Sequence, residues 1–231
     1  MSSKGSSAKR RSRGQSAQKN SGLRTLLLLG GVIVVALIVV AVIVLLNQGA
    51  GTAQPKSASA ELSLGAADAP VVVVEYADFQ CPYCGKFALG TEQQLRKDYV
   101  DSGKVRFVYR HFAFLGNEST WAAEASECAN EQGRFWDYHD KLYQEQRGEN
   151  QGAFSQDNLK RFAADLGLDT QKFNQCLDSG KYESQVRAAF DEALRLRIDS
   201  TPTILVNGQL LQDGSRYPVL QAAIEAALGS K

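Results

Sequence analysis

Residues 69–84 read APVVVVEYADFQCPYC, and the fold is decided there. The β-branched run from Val71 to Tyr76, bounded by Pro70 and Asp78, predicts a strand buried on both faces. A short loop then leads to two cysteines in a CxxC spacing, Cys81 and Cys84, enclosing the dipeptide Pro82-Tyr83. Pro82 suits the first turn of a helix, where its missing N–H costs no hydrogen bond. A helix is therefore expected from the cysteines to about Val100. Val105 to Tyr109 (VRFVY) alternates and predicts a second strand, parallel to the first through a βαβ crossover.

Downstream, a helical block is expected over roughly Ser119 to Ile198. Leu159, Phe162, Ala163 and Leu166 follow an i, i+3, i+4, i+7 pattern, and Val186, Phe190 and Leu194 are spaced by four. Gly133, Gly167 and Gly180 are candidate helix ends. Thr203–Val206 and Gln209–Leu211 flank Asn207-Gly208, a two-residue hairpin signal. Tyr217 to Leu228 reads as a closing helix. Setting aside the helical block, the order is βαβ followed by ββα, an α/β thioredoxin-like pattern with CxxC at the start of its first helix and an inserted helical domain at about 116–198.

Upstream lie a different kind of sequence and a location. Residues 1–24 are Ser-rich, with Lys4, Lys9, Arg10, Arg11, Arg13, Lys19 and Arg24 and no acidic residue. Such a segment cannot bury a core and is expected to be a disordered basic tail. Leu26 to Leu46 carries no charge and is long enough to cross ~30 Å of hydrocarbon, so a single N-terminal transmembrane anchor is expected over 25–47. A cleaved signal peptide would have an apolar stretch of only ~7 to 15 residues. The basic tail predicts an N-terminus in the cytoplasm and everything beyond the anchor outside it, in the cell membrane by its own helix. A small, polar linker follows at 48–60, and the fold occupies 61–231. Of the 26 basic residues in the chain, seven fall in the tail, leaving 19 against 25 acidic ones in the remainder. That balance argues against nucleic acid as a partner.

All four cysteines lie beyond the anchor, where disulfides form and persist. A cysteine at a helix N-terminus faces unsatisfied N–H groups and the positive end of the dipole, which favour thiolate over thiol. Cys81 is accordingly expected to be the exposed nucleophile, with a pKa in the ~3.5 to 7.5 range. Cys84, one turn inside, is expected to be the shielded resolving cysteine. A zinc site would need two further ligands, and no second CxxC or HxxxH supplies them, so no metal is expected. Glu75 is a lone charge in an apolar strand. Buried, it would have a raised pKa and could exchange protons with Cys84; at a solvated strand end it would do neither. Cys128 shares a helical face with Trp121 and Ala125, and Cys176 follows Phe173 by three, so both should point into the helical block and pair as a structural disulfide. Trp136, His139 and Tyr143 share a helical face, which makes His139 a core residue, whereas His111 ends a strand and could approach the CxxC. Neither histidine is assigned a catalytic role.

The stretches APVVVVEYADFQCPYC (69–84), AAEASECANEQGRFWDYHDKLY (122–143) and STPTILVNG (200–208) together resemble the DsbA-like family of thioredoxin-fold proteins, in particular its membrane-anchored bacterial members. The resemblance spans nearly everything from Leu64 to Leu228. It implies a thiol-disulfide oxidoreductase with Cys81 as nucleophile, Cys84 as resolving cysteine, Glu75 as the acid beneath the site and Pro202 as a cis-proline whose loop, with Thr201 on the substrate side, faces the CxxC. It implies no cofactor beyond the redox-active Cys81–Cys84 disulfide. Expected partners are exported polypeptides bearing cysteines and a membrane redox partner that resets the site. Pro-Tyr stands between the cysteines where the best-known periplasmic oxidant has Pro-His, so oxidising strength does not transfer. The preferred reading is a monomeric dithiol oxidase, since the linker is too short for the dimerisation module of an isomerase. A reductase and a redox-inactive chaperone or metallochaperone are the alternatives.

Overall fold

The computed structural model describes residues 61–229; the expected tail (1–24), anchor (25–47) and linker (48–60) lie outside the described residues, among which no helix is long and apolar enough to cross a membrane. Five strands form one sheet: β1 (Ser63–Leu64), β2 (Val71–Ala77), β3 (Val105–His111), β4 (Thr203–Val206) and β5 (Gln209–Leu210), ordered β1-β3-β2-β4-β5. β2 and β3 are parallel, with Val71 opposite Val105, and the other neighbours are antiparallel. β1 has no counterpart among the sequence-based expectations, because two residues at a sheet edge carry no periodicity to read.

The parallel pair is joined by helix α1 from Pro82 to Val100, in which α-helical segments Pro82–Lys86 and Glu92–Leu95 alternate with wider π-helical ones, Phe87–Thr91 and Arg96–Val100. Five helices follow as the insertion: α2 (Asn117–Asn130), α3 (Phe135–Gln144), α4 (Gln156–Asp165), α5 (Thr170–Asp178) and α6 (Glu183–Arg195); α7 (Tyr217–Gly229) closes the fold. The chain leaves α4 through Gly167, whose φ of +70° suits glycine, with Leu168 N–H donating to the Ala163 carbonyl at 3.0 Å and Gly167 N–H to that of Ala164 at 2.9 Å.

Successive side chains of a strand point to opposite faces, and β2 uses both. Val71 and Val73 pack with Phe87, Leu95 and Tyr99 of α1 and with Leu220 and Ile224 of α7. Val74 and Tyr76 pack on the other side with Phe190 and Ala193 of α6. This double burial is why the strand reads as an unbroken apolar run. Glu75 shares the face of Val71 and Val73, so its carboxylate is carried toward α1. The turn between β4 and β5 has Asn207 at φ 48° and Gly208 at φ 79°, and Asn207 also exchanges bonds with β2, its N–H reaching the Val72 carbonyl at 2.8 Å and its Oδ1 accepting from Val72 N–H at 2.9 Å.

One expected core position is corrected. Leu194 is 50% exposed, and Ala193 is fully buried in its place. Two steps of four residues drift about 80° around a helix of 3.6 residues per turn, whereas the seven-residue step from Val186 to Ala193 stays within about 20° of one face.

Candidate active site

Directly after β2 comes Asp78, a buried carboxylate that fixes the loop leading to α1. Its Oδ1 accepts from Gln80 N–H at 2.8 Å and Ser119 Oγ at 2.6 Å, and its Oδ2 from the N–H groups of Phe114 at 2.8 Å and Leu115 at 3.1 Å. The Asp78 carbonyl in turn accepts from Cys81 N–H at 3.0 Å. Loop, insertion and helix start are thereby held by one residue. Cys81 is the N-cap of α1, in an extended conformation, with Pro82 opening the helix and no acidic residue in the first turn.

That placement explains the chemistry of the two free thiols. The Cys81 pKa is lowered from 9.0 to about 6, first by the hydrogen bond from the Cys84 thiol, then by Thr201 and the N–H groups of Cys84 and Tyr83, against the opposing effect of burial. The Cys84 pKa moves the other way, raised well above the ordinary thiol value by burial, by its hydrogen bond to Cys81 and by the charges of Glu75 and Cys81.

Cys81 is not the exposed residue expected from its position at the helix start; it is 5% exposed, against 0% for Cys84. The loop before β4 covers it: the Cys81 thiol donates to the Thr201 carbonyl at 3.4 Å, and the Thr201–Pro202 peptide is cis. The Thr201 hydroxyl is buried with no hydrogen-bond partner. Tyr83, by contrast, is 66% exposed, with Lys86 Nζ 5.3 Å from its ring centroid. Tyr83, Leu196, Thr201, Pro202 and Leu210 line an open groove of about 590 Å³ beside the cysteines. A larger one of about 690 Å³, between Trp121, Glu124, Glu183 and Phe190, lies in the insertion; neither groove is lined by a thiol, but the first is lined by Tyr83 of the CxxC and by the cis-proline.

Glu75 is completely buried, and neither carboxylate oxygen has a hydrogen-bond partner. Burial raises its pKa well above the usual carboxyl value, helped by Glu92 and Cys81 and opposed by Arg96, which favours the neutral acid. The open choice between a buried and a solvated Glu75 is thus resolved by its face on β2. Behind it lies a set that local pattern did not single out as part of the site. Glu92 is buried and ion-paired to Arg96, with His139 Nε2 3.7 Å from its Oε2. Arg96 also reaches both Asp140 oxygens, at 3.1 and 3.2 Å, and His139 Nδ1 is 2.8 Å from Asp140 Oδ1. Three groups of ligand type converge here, Glu92, His139 and Asp140. The guanidinium already supplies their countercharge.

His139 is buried among Trp136 and Tyr143, with ring centroids 5.1 and 4.8 Å away. His111, the last residue of β3, packs 6.0 Å from Phe79 and lies 3.3 Å from Oε1 of Glu127, a residue of α2. Within the insertion, the sulfurs of Cys128 on α2 and Cys176 on α5 are bonded at 2.02 Å. Gln146, which nothing in the sequence marks, donates to the carbonyls of Phe79 at 2.6 Å and Cys81 at 3.1 Å.

Residues 57–226 match the family model described as thioredoxin. The chain is 33% identical over 174 residues, 74% of its length, to a probable disulfide bond formation protein D of Bacillus anthracis, covering 79% of that protein. It also matches a Na(+)/H(+) antiporter NhaA 3 of Salinispora tropica at 36% identity, over 72% of this chain but only 24% of the antiporter. Among solved structures, oxidised BdbD of Bacillus subtilis superposes with a TM-score of 0.69 at 32% identity, covering 73% of this chain and 93% of that one. With a dithiol of opposed pKa values at a helix N-terminus, the chain belongs to the thioredoxin family as a DsbA-like thiol-disulfide oxidoreductase.

Proposed function

We propose that the protein is a dithiol oxidase for exported polypeptides, anchored by residues 25–47 with its fold outside the cytoplasm, Cys81 as nucleophile and leaving sulfur, Cys84 as the buried partner and Glu75 as proton donor. The observation that carries the direction is the Cys81 pKa of about 6 beside a raised Cys84. A stabilised thiolate favours the reduced protein, which makes the Cys81–Cys84 disulfide a stronger oxidant, with ~30 mV for each ~1.4 kcal/mol.

In this reading a substrate thiolate attacks the Cys81 sulfur of the oxidised pair. The S–S bond breaks, a mixed disulfide forms on Cys81, and Cys84 leaves with the electron pair and takes the Glu75 proton. A second substrate thiolate then attacks the substrate sulfur of the mixed disulfide and expels Cys81 as its stabilised thiolate. The substrate has lost two electrons and gained a disulfide; the protein holds a Cys81 thiolate, a Cys84 thiol and a Glu75 carboxylate, which takes its proton back from Cys84 when the pair is reoxidised. The raised Cys84 pKa keeps that thiol protonated, so it does not attack Cys81 and reverse the first step. No cofactor is needed beyond the cysteine pair. Reoxidation falls to a membrane partner that accepts both electrons.

The groove beside Thr201 and Pro202, with Tyr83, Leu196 and Leu210 exposed at its rim, supports an unfolded polypeptide as the substrate. The related Bacillus anthracis protein is named for disulfide bond formation, which supports the same direction. The test is to incubate the oxidised protein with a reduced, unfolded, multi-cysteine substrate and to titrate its couple against glutathione. Accelerated substrate oxidation is expected. A potential near ~−270 mV with no acceleration would make the protein a reductase instead. Detergent-free extraction tests the anchor: the full chain should stay with membranes, and a reporter fused after Lys231 should be active only outside the cytoplasm.

A further inference from the structure

The active-site helix is gripped from outside its own fold. Gln146 lies just past α3, in the insertion, 65 residues from Cys81, yet its Nε2 donates both to the Phe79 carbonyl at 2.6 Å and to the Cys81 carbonyl at 3.1 Å. The same segment holds the residue between them, since Asn150 N–H donates to Gln80 Oε1 at 2.6 Å. Gly85, one residue beyond the CxxC, gives this amide its room: a Cβ there would stand 2.3 Å from Gln146 Oε1 and 3.0 Å from its Cδ. The Cys81 carbonyl opens the helix and also accepts from Gly85 N–H at 3.1 Å, so a donor placed on it sets the first peptide planes of the helix.

We propose that Gln146 is a positioning residue for the Cys81 sulfur, fixing from the helical insertion the Cys81–Pro82 peptide plane from which the first turn, with the Tyr83 and Cys84 N–H groups that face that sulfur, is built, and that Gly85 is glycine so that the Gln146 amide can reach the Cys81 carbonyl. The assignment rests on Cys81 being the nucleophile. Gln146 touches neither sulfur. Its influence runs through the carbonyls that flank the N-cap, and the Tyr83 and Cys84 N–H groups are the donors whose aim depends on them.

The experiment is the pH dependence of Cys81 alkylation in the reduced full-length protein, with mass spectrometry identifying the labelled cysteine. In the wild type the midpoint should lie near 6. Gln146→Leu keeps the volume and removes the donor, and should raise the midpoint by ~0.5 unit, about a threefold smaller thiolate fraction below it. Gly85→Ala should do the same with Gln146 intact, by pushing aside the flexible end of that side chain, and the double variant should be no worse than either single one. Asn158→Ala is the control: it loosens the same loop by removing a bond to the Gly152 carbonyl, 2.8 Å long, and should leave the midpoint in place. Should Gln146→Leu fail to fold, Gly85→Ala alone decides. The proposal is overturned if Gln146→Leu or Gly85→Ala leaves the midpoint unchanged, if their effects add in full, or if Asn158→Ala moves it equally. A wild-type midpoint at the ordinary thiol value would instead remove the nucleophile assignment, and this proposal with it.

Discussion

Cys84 and Cys128 are about equally hidden from solvent, at 0% and 2% exposure, and both belong to the same hydrophobic cluster as Cys81 and Cys176, yet one pair is built to react and the other to stay closed. The difference is which end of a helix each occupies. Cys81 caps the N-terminus of α1, where N–H groups lack partners inside the helix. Cys128 and Cys176 lie toward the C-terminal ends of α2 and α5, where the dipole is negative and no free N–H faces the sulfur. A thiolate is stabilised at the first site. Depth in the core therefore does not decide cysteine reactivity here; the polar groups aimed at the sulfur do.

The sharpest break would come from exchanging the roles of the pairs. Cys81→Ser should reduce thiol exchange by at least ~10³-fold, since the other free thiol, Cys84, is fully buried and has a raised pKa. Removing both Cys128 and Cys176 should leave exchange within about twofold, provided the protein stays folded. Exchange assays on both variants settle this, and an equal loss in the second would erase the distinction. Stability should respond in the opposite sense. The Cys128–Cys176 bond closes a 48-residue separation, and replacing both cysteines with Ala should cost ~2 to 4 kcal/mol in a urea titration at fixed redox state. Cys81→Ser should cost much less.

Smaller effects refine the polar side of the comparison. The Glu75 pKa is raised in the folded protein, so the folded state keeps this proton when the unfolded chain has lost it. Stability from this group is fully present below the unfolded carboxyl value and is lost as pH rises through the folded one. Glu75→Gln cannot titrate, and as pH rises above the ordinary carboxyl range its urea midpoints should fall less steeply than those of the wild type. A slope unchanged from the wild type would mean that burial does not raise the Glu75 pKa. The smallest change expected is Tyr83→His. Tyr83 is mostly exposed, so stability should move by less than ~0.5 kcal/mol. An imidazolium beside Cys81 would stabilise its thiolate further and make the couple more oxidising, by ~10 to 30 mV, read by glutathione titration.

Much of the frame was legible in local pattern. Val71–Tyr76 read as a buried strand because β2 is covered on both faces, and Pro82 placed the start of α1 because only a first turn tolerates its missing N–H. Asn207-Gly208 marked its hairpin through two residues at positive φ. Equal spacing misled at Leu194, where a step of four drifts off the buried face, and β1 was too short to carry any period.

What the sequence by itself determined is the set of features written within a turn or a strand: the CxxC at a helix start, the order of elements around the insertion, and an even number of cysteines beyond an apolar segment. The tertiary structure alone decided that the Thr201–Pro202 loop covers Cys81, that Glu75 lies sealed beneath Cys84, that Asp78 ties the loop to the insertion, and that Gln146 reaches the Cys81 carbonyl across 65 residues. The reason is range. Backbone propensity and periodicity act over a few residues, whereas burial, desolvation and hydrogen bonds between distant segments exist only once the chain has closed and brought them together.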